Sequence, residues 1–154
     1  MSLLSVKKHL KAFNKEKDII ELTESTATVE LAATALNVIP ARIAKTLSFK
    51  IHDICILIVT AGDRKIDNKK FKDIFHTKAK MLTPEEVINY TTHPIGGVCP
   101  FGLENNSIKT YCDISLKRFN TVFPACGSCN TAIELTCDEL FIISGSKEWI
   151  NVCK

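Results

Sequence analysis

Four stretches of the 154-residue chain hold side chains whose types and spacing could do chemistry. In Ile43-Ala44-Lys45-Thr46-Leu47 a lysine sits where a helical turn meets an alternating apolar run. An ammonium on a rigid base can neutralise a phosphate or the charge developing on a carbonyl oxygen. The same lysine is equally an ordinary surface residue. His93-Pro94-Ile95-Gly96-Gly97-Val98-Cys99-Pro100-Phe101-Gly102 holds three glycines and two prolines in ten residues, which excludes a helix or an interior strand. Paired glycines let backbone approach a ligand closely and leave N–H groups to donate. A tight structural turn uses the same residues.

The third stretch, Phe123-Pro124-Ala125-Cys126-Gly127-Ser128-Cys129-Asn130, contains a C-x-x-C. A structural zinc site needs a second close ligand pair. Cys99, Cys112, Cys137 and Cys153 are scattered instead. A thioredoxin-like pair needs a helix starting at the cysteines, whereas Thr131–Leu135 reads as a strand. No metal and no cofactor are expected. The fourth stretch, Arg64–Lys80, holds Arg64, Lys65, Lys69, Lys70, Lys72, Lys78 and Lys80 against Asp63, Asp67 and Asp73. It is either a solvated helix face or a phosphate-binding surface. There is no G-x-S-x-G, P-loop or H-E-x-x-H. The histidines at 9, 52, 76 and 93 have no carboxylate or cysteine at a telling spacing.

The elements that must position these residues are legible in the periodicity. Leu3, Val6, Leu10 and Phe13 make the buried stripe of a first helix. Ile19–Leu22 reads as a strand. Ser25 or Thr26 caps a second helix packed through Val29, Ala32, Ala33 and Leu36, ended by Asn37. Pro40 opens a short helical turn leading to Lys45, and Leu47, Phe49 and Ile51 alternate as a strand. His52-Asp53 is a hairpin turn. Ile54–Val59, apolar at every position, suits a central strand covered on both faces. Asp67 caps a helix through Phe71 and Phe75. Thr83-Pro84-Glu85-Glu86 and Thr136-Cys137-Asp138-Glu139 are capping boxes. Ile108–Ile114, Val122-Phe123, Ala132–Leu135 and Trp149–Cys153 read as later strands. The irregular order predicts an α+β domain around a mixed sheet.

The length allows one domain with a real core over residues 1–154. With 45% hydrophobic and 24% charged residues, disordered and collagen-like classes are excluded. The longest apolar run is too short to cross a bilayer, and the N-terminus does not read as a signal peptide. A cytoplasmic protein with no membrane partner is expected, its seven cysteines free thiols. A net charge of +3 does not by itself argue for nucleic acid, since charge can be local.

Taken in order, Ile43–Leu47, Ala61-Gly62-Asp63-Arg64-Lys65-Ile66-Asp67, Gly96–Gly102 and Ala132-Ile133-Glu134-Leu135 resemble the YbaK/EbsC family, free-standing relatives of the prolyl-tRNA synthetase editing domain. The resemblance implies a curved mixed β-sheet flanked by helices. It also implies a deacylase that hydrolyses the ester of mischarged aminoacyl-tRNA, with tRNA-Pro carrying a small non-cognate amino acid as substrate. Aminoacyl-tRNA is then the partner, with a synthetase such as prolyl-tRNA synthetase beside it, and not DNA. The family's essential lysine falls on Lys45 and its G-x-x-x-P loop on Gly96–Pro100, so Lys45, Gly96 and Gly97 are the implied catalytic residues. Thr46, Val98, Cys99, Pro100, Ala125, Gly127 and Ser128 are the implied substrate contacts. Arg64, Lys65, Lys69, Lys70 and Lys72 are the candidates for tRNA. Cysteine-selective members carry a small polar and an acidic residue where this chain has Ala125 and Ala132, which argues against cysteine. A non-catalytic tRNA- or synthetase-binding module of the same fold is the alternative.

Overall fold

The computed structural model describes residues 2–154. The chain runs α1 (Ser2–Lys11), β1 (Ile20–Glu21), α2 (Val29–Leu36), β2 (Ile43–Ile51), β3 (Ile54–Ala61), α3 (Asn68–Phe75), α4 (Pro84–Thr91), β4 (Lys109–Asp113), β5 (Thr121–Pro124), β6 (Thr131–Ala132), β7 (Leu135–Thr136), α5 (Cys137–Ile143) and β8 (Trp149–Ile150). Short 3-10 turns occupy Glu16–Asp18, Pro40–Arg42 and Ile114–Arg118. The architecture is the expected α+β arrangement around a curved mixed sheet.

The β2–β3 hairpin is the centre. Its two-residue turn places His52 and Asp53 at φ of 49° and 65°, the left-handed pair that matches the twist of the strands. Six strands lie in the order β7-β5-β2-β3-β4-β8, with β2–β3 and β5–β7 antiparallel and the other pairs parallel. The unbroken apolar run of β3 is covered on both faces. Ile56 and Ile58 meet Phe49, Phe71 and Val152 on the α3 side. Cys55 and Leu57 meet Leu82 and Val87 beside α4 on the other. Val59 and Ala61 continue that second face into the cluster under α1, with Val6, Leu10 and Phe101.

Asp67 caps α3, and both capping boxes are present, with Thr83 and Glu86 opening α4 and Thr136 and Glu139 opening α5. Other expectations change. Thr28, not Ser25 or Thr26, caps α2, accepting from the Leu31 N–H. The reason is long-range: the Thr26 N–H is bonded to the Cys129 carbonyl and Leu22 N–H to Asn130, which holds this segment extended. Lys45 lies inside β2 rather than before it, because Ile43 and Ala44 already pair with Phe123 and Pro124 of β5. The run Ala132–Leu135 is two strands, β6 pairing with β1 and β7 with β5. Phe13 lies beyond α1 and is 41% exposed, so it is not part of the buried stripe.

Candidate active site

The site is built on an interruption in the sheet. The Gly62 N–H bonds to the Ile43 carbonyl, so in β2 residues 43, 45 and 47 turn their backbone groups to β3 and residues 44, 46, 48 and 50 turn theirs outward. Ala44 is paired with β5. The Ser48 carbonyl accepts from Leu82 N–H, and Lys50 N–H donates to the Lys80 carbonyl. Thr46 stands between these two stretches of pairing, and among the described residues no strand pairs with its outer edge. A cavity of about 300 Å³ opens there. Its walls come from α2, the Thr26–Thr28 segment, the end of β5, the Ile95–Val98 loop and the start of α4. They are mainly apolar, including Ala44, Leu82, Phe123, Ala125 and Ala132.

Among the described residues Lys45 is the one ionisable side chain on the wall. Its Nζ donates to the Gly62 carbonyl at 3.4 Å and the Arg64 carbonyl at 2.5 Å. An ammonium has three donors, so one is left for a bound molecule. Burial pulls the pKa of Lys45 below the usual lysine value, while Cys153, Asp63 and Glu30 push the other way. The turn that supplies both carbonyls requires a glycine, because a Cβ on Gly62 would lie 2.3 Å from the Pro40 carbonyl oxygen.

Two threonine hydroxyls on the cavity wall, Thr26 Oγ1 and Thr46 Oγ1, are buried without a hydrogen-bond partner among the described residues. Thr26 is only 7% exposed. An unpaired buried hydroxyl costs about 1–3 kcal/mol, a cost that a bound polar group removes. Thr26 escapes sequence reasoning because a Ser/Thr run before an apolar stripe looks like a helix cap.

Of the glycine-rich loop, Gly96 and Val98 reach the cavity, and so do Thr46 and Ala125. Gly97, Cys99, Pro100, Gly127 and Ser128 do not line it. Gly97 packs on backbone: a Cβ there would lie 2.7 Å from the Ser128 nitrogen and 2.8 Å from the Gly127 carbonyl carbon. Its N–H is bonded to Pro94. Gly127, at φ 88°, fits beneath α1, where a Cβ would lie 2.9 Å from Ser2 Oγ and Val6 Cγ2. Ser128 Oγ is engaged by Asn130 and Thr131. Pro100 is buried. Cys99 is fully buried with its thiol pushed up to about 12 by desolvation.

Behind the loop lies His93, fully buried and not suspected from sequence. The Phe101 carbonyl can only accept, so His93 Nε2 carries the proton it donates at 2.7 Å. Nδ1 then accepts from the Ser2 hydroxyl. Desolvation lowers the His93 pKa from 6.5, which keeps the ring neutral.

The basic stretch begins at Lys45, since Arg64 supplies one of its carbonyls. Lys65, Lys69 and Lys72 are exposed, while Lys70 is tied down by the Cys153 carbonyl at 2.8 Å and Asn151 Oδ1 at 3.2 Å. Among the described residues no group of three or more His, Cys, Asp or Glu side chains could hold a metal ion. Cys126 is buried and Cys129 exposed. No described helix is long and apolar enough to cross a membrane.

The family model of the aminoacyl-tRNA editing domain matches residues 23–142. The chain belongs to the aminoacyl-tRNA editing domain family. That stretch encloses every residue on the cavity wall. The chain is 57% identical to the uncharacterized protein YwhH of Bacillus subtilis (strain 168), over 100% of this chain and 98% of that one. It is 29% identical to a proline–tRNA ligase of Geobacillus sp. (strain WCH70), over 69% of this chain and 18% of the ligase. A solved structure of a proposed trans-editing enzyme for prolyl tRNA synthetase superposes with a TM-score of 0.89, at 27% identity, over 99% of this chain and 97% of that one.

Proposed function

We propose that this protein hydrolyses the ester between tRNA and a wrongly attached amino acid, with tRNA-Pro carrying a small non-cognate residue as the substrate. The observation that carries the reading is the coincidence at one gap in the sheet edge. A half-buried lysine with one donor to spare, two unpaired hydroxyls and an apolar cavity of about 300 Å³ meet there. Among the described residues no His, Cys, Asp or Glu lines the cavity, so the imidazole, thiol and carboxylate groups that most often serve as nucleophile or general base are not on its wall. An aminoacyl ester is activated enough for water, or a hydroxyl of the substrate itself, to attack. Water adds to the ester carbonyl carbon, the bond to the ribose oxygen breaks, and that oxygen leaves with a proton. Lys45 stabilises the charge on the carbonyl oxygen or holds the neighbouring phosphate. Thr26 and Thr46 take polar groups of the aminoacyl moiety. Gly96 and Val98 close one wall, and Ala125 and Ala132 keep the pocket apolar at the amino-acid end. Small amino acids differ by only about 1–3 kcal/mol in a synthetase pocket, which is why a separate editing site is useful for them.

The likeness to proline–tRNA ligases and to a proposed trans-editing enzyme supports tRNA-Pro and a role beside prolyl-tRNA synthetase in the cytoplasm. Arg64, Lys65, Lys69 and Lys72 lead away from Lys45 and would track the phosphates. Each phosphate neutralised adds about −0.7 to −0.9 to the slope of log K against log salt. The test is single-turnover hydrolysis of a panel of mischarged tRNAs, tRNA-Pro isoacceptors first, with the salt dependence of binding measured beside it. Hydrolysis of one small aminoacyl-tRNA-Pro, and a flatter salt slope in Lys69→Gln/Lys72→Gln, is the expected result. Tight binding with no hydrolysis of any ester would instead make the protein a binding module.

A further inference from the structure

We propose that Asp63 and Arg118 are positioning residues for Lys45, forming a clamp that fixes the turn on which its ammonium hangs. The inference rests on the deacylase reading for its kinetic arm. Lys45 is held by the carbonyls of Gly62 and Arg64. The residue between them is Asp63, and its carboxylate is gripped by both prongs of the Arg118 guanidinium, at 2.7 and 3.1 Å. Paired bonds of this kind fix geometry as well as charge.

Arg118 is itself anchored. Its Nε donates to the Ser115 carbonyl at 2.8 Å, and its guanidinium lies 5.0 Å from the centre of the Phe119 ring. Ser115 binds the same turn from the other side, its Oγ accepting the Ala61 N–H at 3.2 Å. Asp113, 1% exposed, ties the 3-10 turn to the chain end by accepting from Ser115 N–H and Val152 N–H. The segment after β4 thus grips the Ala61–Arg64 turn at two points, the Ala61 N–H and the Asp63 carboxylate. The two Lys45 acceptors follow directly after each.

An ion pair with about a third of each side chain exposed adds little to stability. Its geometric role matters more, because misplacing a reacting group by about 1 Å can cost 10²-fold in rate. The charges facing Lys45 are Asp63 from the turn, Glu30 from α2 and Lys65 beyond the turn, and beside them at the chain end lies the Cys153 thiol, which burial pushes up to about 12. Removing the carboxylate of Asp63 withdraws one of the charges favouring the ammonium.

The experiment compares Asp63→Asn and Arg118→Met, singly, together, and each combined with Lys45→Met. Single-turnover deacylation, melting, and titration of the Lys45 Nζ resonance by 15N NMR are the readouts. Each single variant should slow the chemical step about 10- to 100-fold with KM nearly unchanged. The Asp63→Asn/Arg118→Met pair should be no slower than the worse single, and neither change should add to the loss in Lys45→Met. A residue that merely supports the fold would multiply with Lys45→Met. Multiplied losses, or a wild-type rate in folded Asp63→Asn, overturn the clamp. Arg118→Lys keeps the charge but not the paired geometry, and should fold and still be slowed. It decides the matter by the same criteria if Asp63→Asn does not fold. The NMR arm needs no substrate: in Arg118→Lys, which conserves the charges around Lys45, the Lys45 Nζ resonance and its titration midpoint should shift as the turn moves, and values identical to wild type overturn the clamp. If wild-type protein hydrolyses no ester, the deacylase reading falls by itself, while the midpoint still decides the clamp.

Discussion

The Lys45 turn and the glycine-rich loop flank the same cavity, and in sequence both read as functional motifs, yet they serve it differently. At the Lys45 end polar groups are deliberately engaged or left spare: an ammonium on two carbonyls and Thr46 Oγ1 with none. At the loop end the backbone is consumed by packing. Gly97 is pressed against Gly127–Ser128, Gly102 against Ser5–Val6, and His93 bridges Ser2 to Phe101. A glycine can therefore be indispensable because another backbone needs its space, not because a ligand does. The difference teaches that one end should respond to mutation in rate and the other in stability.

Lys45→Ala is the sharpest way to test that contrast. Loss of one well-placed electrostatic donor costs about 10²–10³ in rate, or about 2.7–4 kcal/mol. Single-turnover deacylation should fall by that factor, while two carbonyls facing a partly open site make the loss of stability about 1 kcal/mol. Arginine should rescue poorly, its planar fork being a different shape from a compact ammonium. A folded Lys45→Ala protein with the wild-type rate would erase the distinction between the two ends.

Gly97→Val should do the reverse. Its side chain would be driven into backbone less than 3 Å away, and overpacking of this kind costs about 1–3 kcal/mol. Denaturant unfolding should show that loss, and whatever fraction folds should retain turnover. An unchanged midpoint with abolished turnover would move Gly97 to the substrate side of the comparison.

Thr26→Val replaces an unpaired buried hydroxyl with a methyl of the same shape. Stability should rise by about 1–3 kcal/mol, the cost of the unpaired hydroxyl, while the rate at subsaturating mischarged tRNA drops. Equal rates would mean the hydroxyl meets no substrate group.

The smallest effect is the pH response of His93. Its folded pKa lies below the unfolded value of 6.5, so below 6.5 the unfolded chain binds the extra proton more readily. The stability contributed by the neutral ring is complete above pH 6.5 and is lost progressively as pH falls below it. Denaturation midpoints across that range should show the decline, and His93→Gln should flatten it. A slope unaffected by His93→Gln would mean the ring does not hold the loop.

Features set by neighbours in the chain were legible in advance. The capping boxes at Thr83 and Thr136, the Asp67 cap, the His52-Asp53 turn and the doubly covered β3 all follow from spacing within a few residues, where backbone geometry and helical or strand periodicity act. The residue types for chemistry were legible too, Lys45 and Gly96 among them. Tertiary structure decided the rest. Thr26 passes from cap to cavity wall through a bond to Cys129, more than a hundred residues away. Ala132 and Leu135 part into different sheets because β1 and β5 recruit them separately. Gly97 and Gly127 become partners only when the two loops meet. Lys45 acquires its acceptors, and through them Asp63 and Arg118, only once β3 has turned at Gly62 beside the segment after β4. Local propensity falls off within a turn or two of chain, whereas a hydroxyl's want of a partner or a glycine's missing Cβ is resolved by whatever the fold brings alongside.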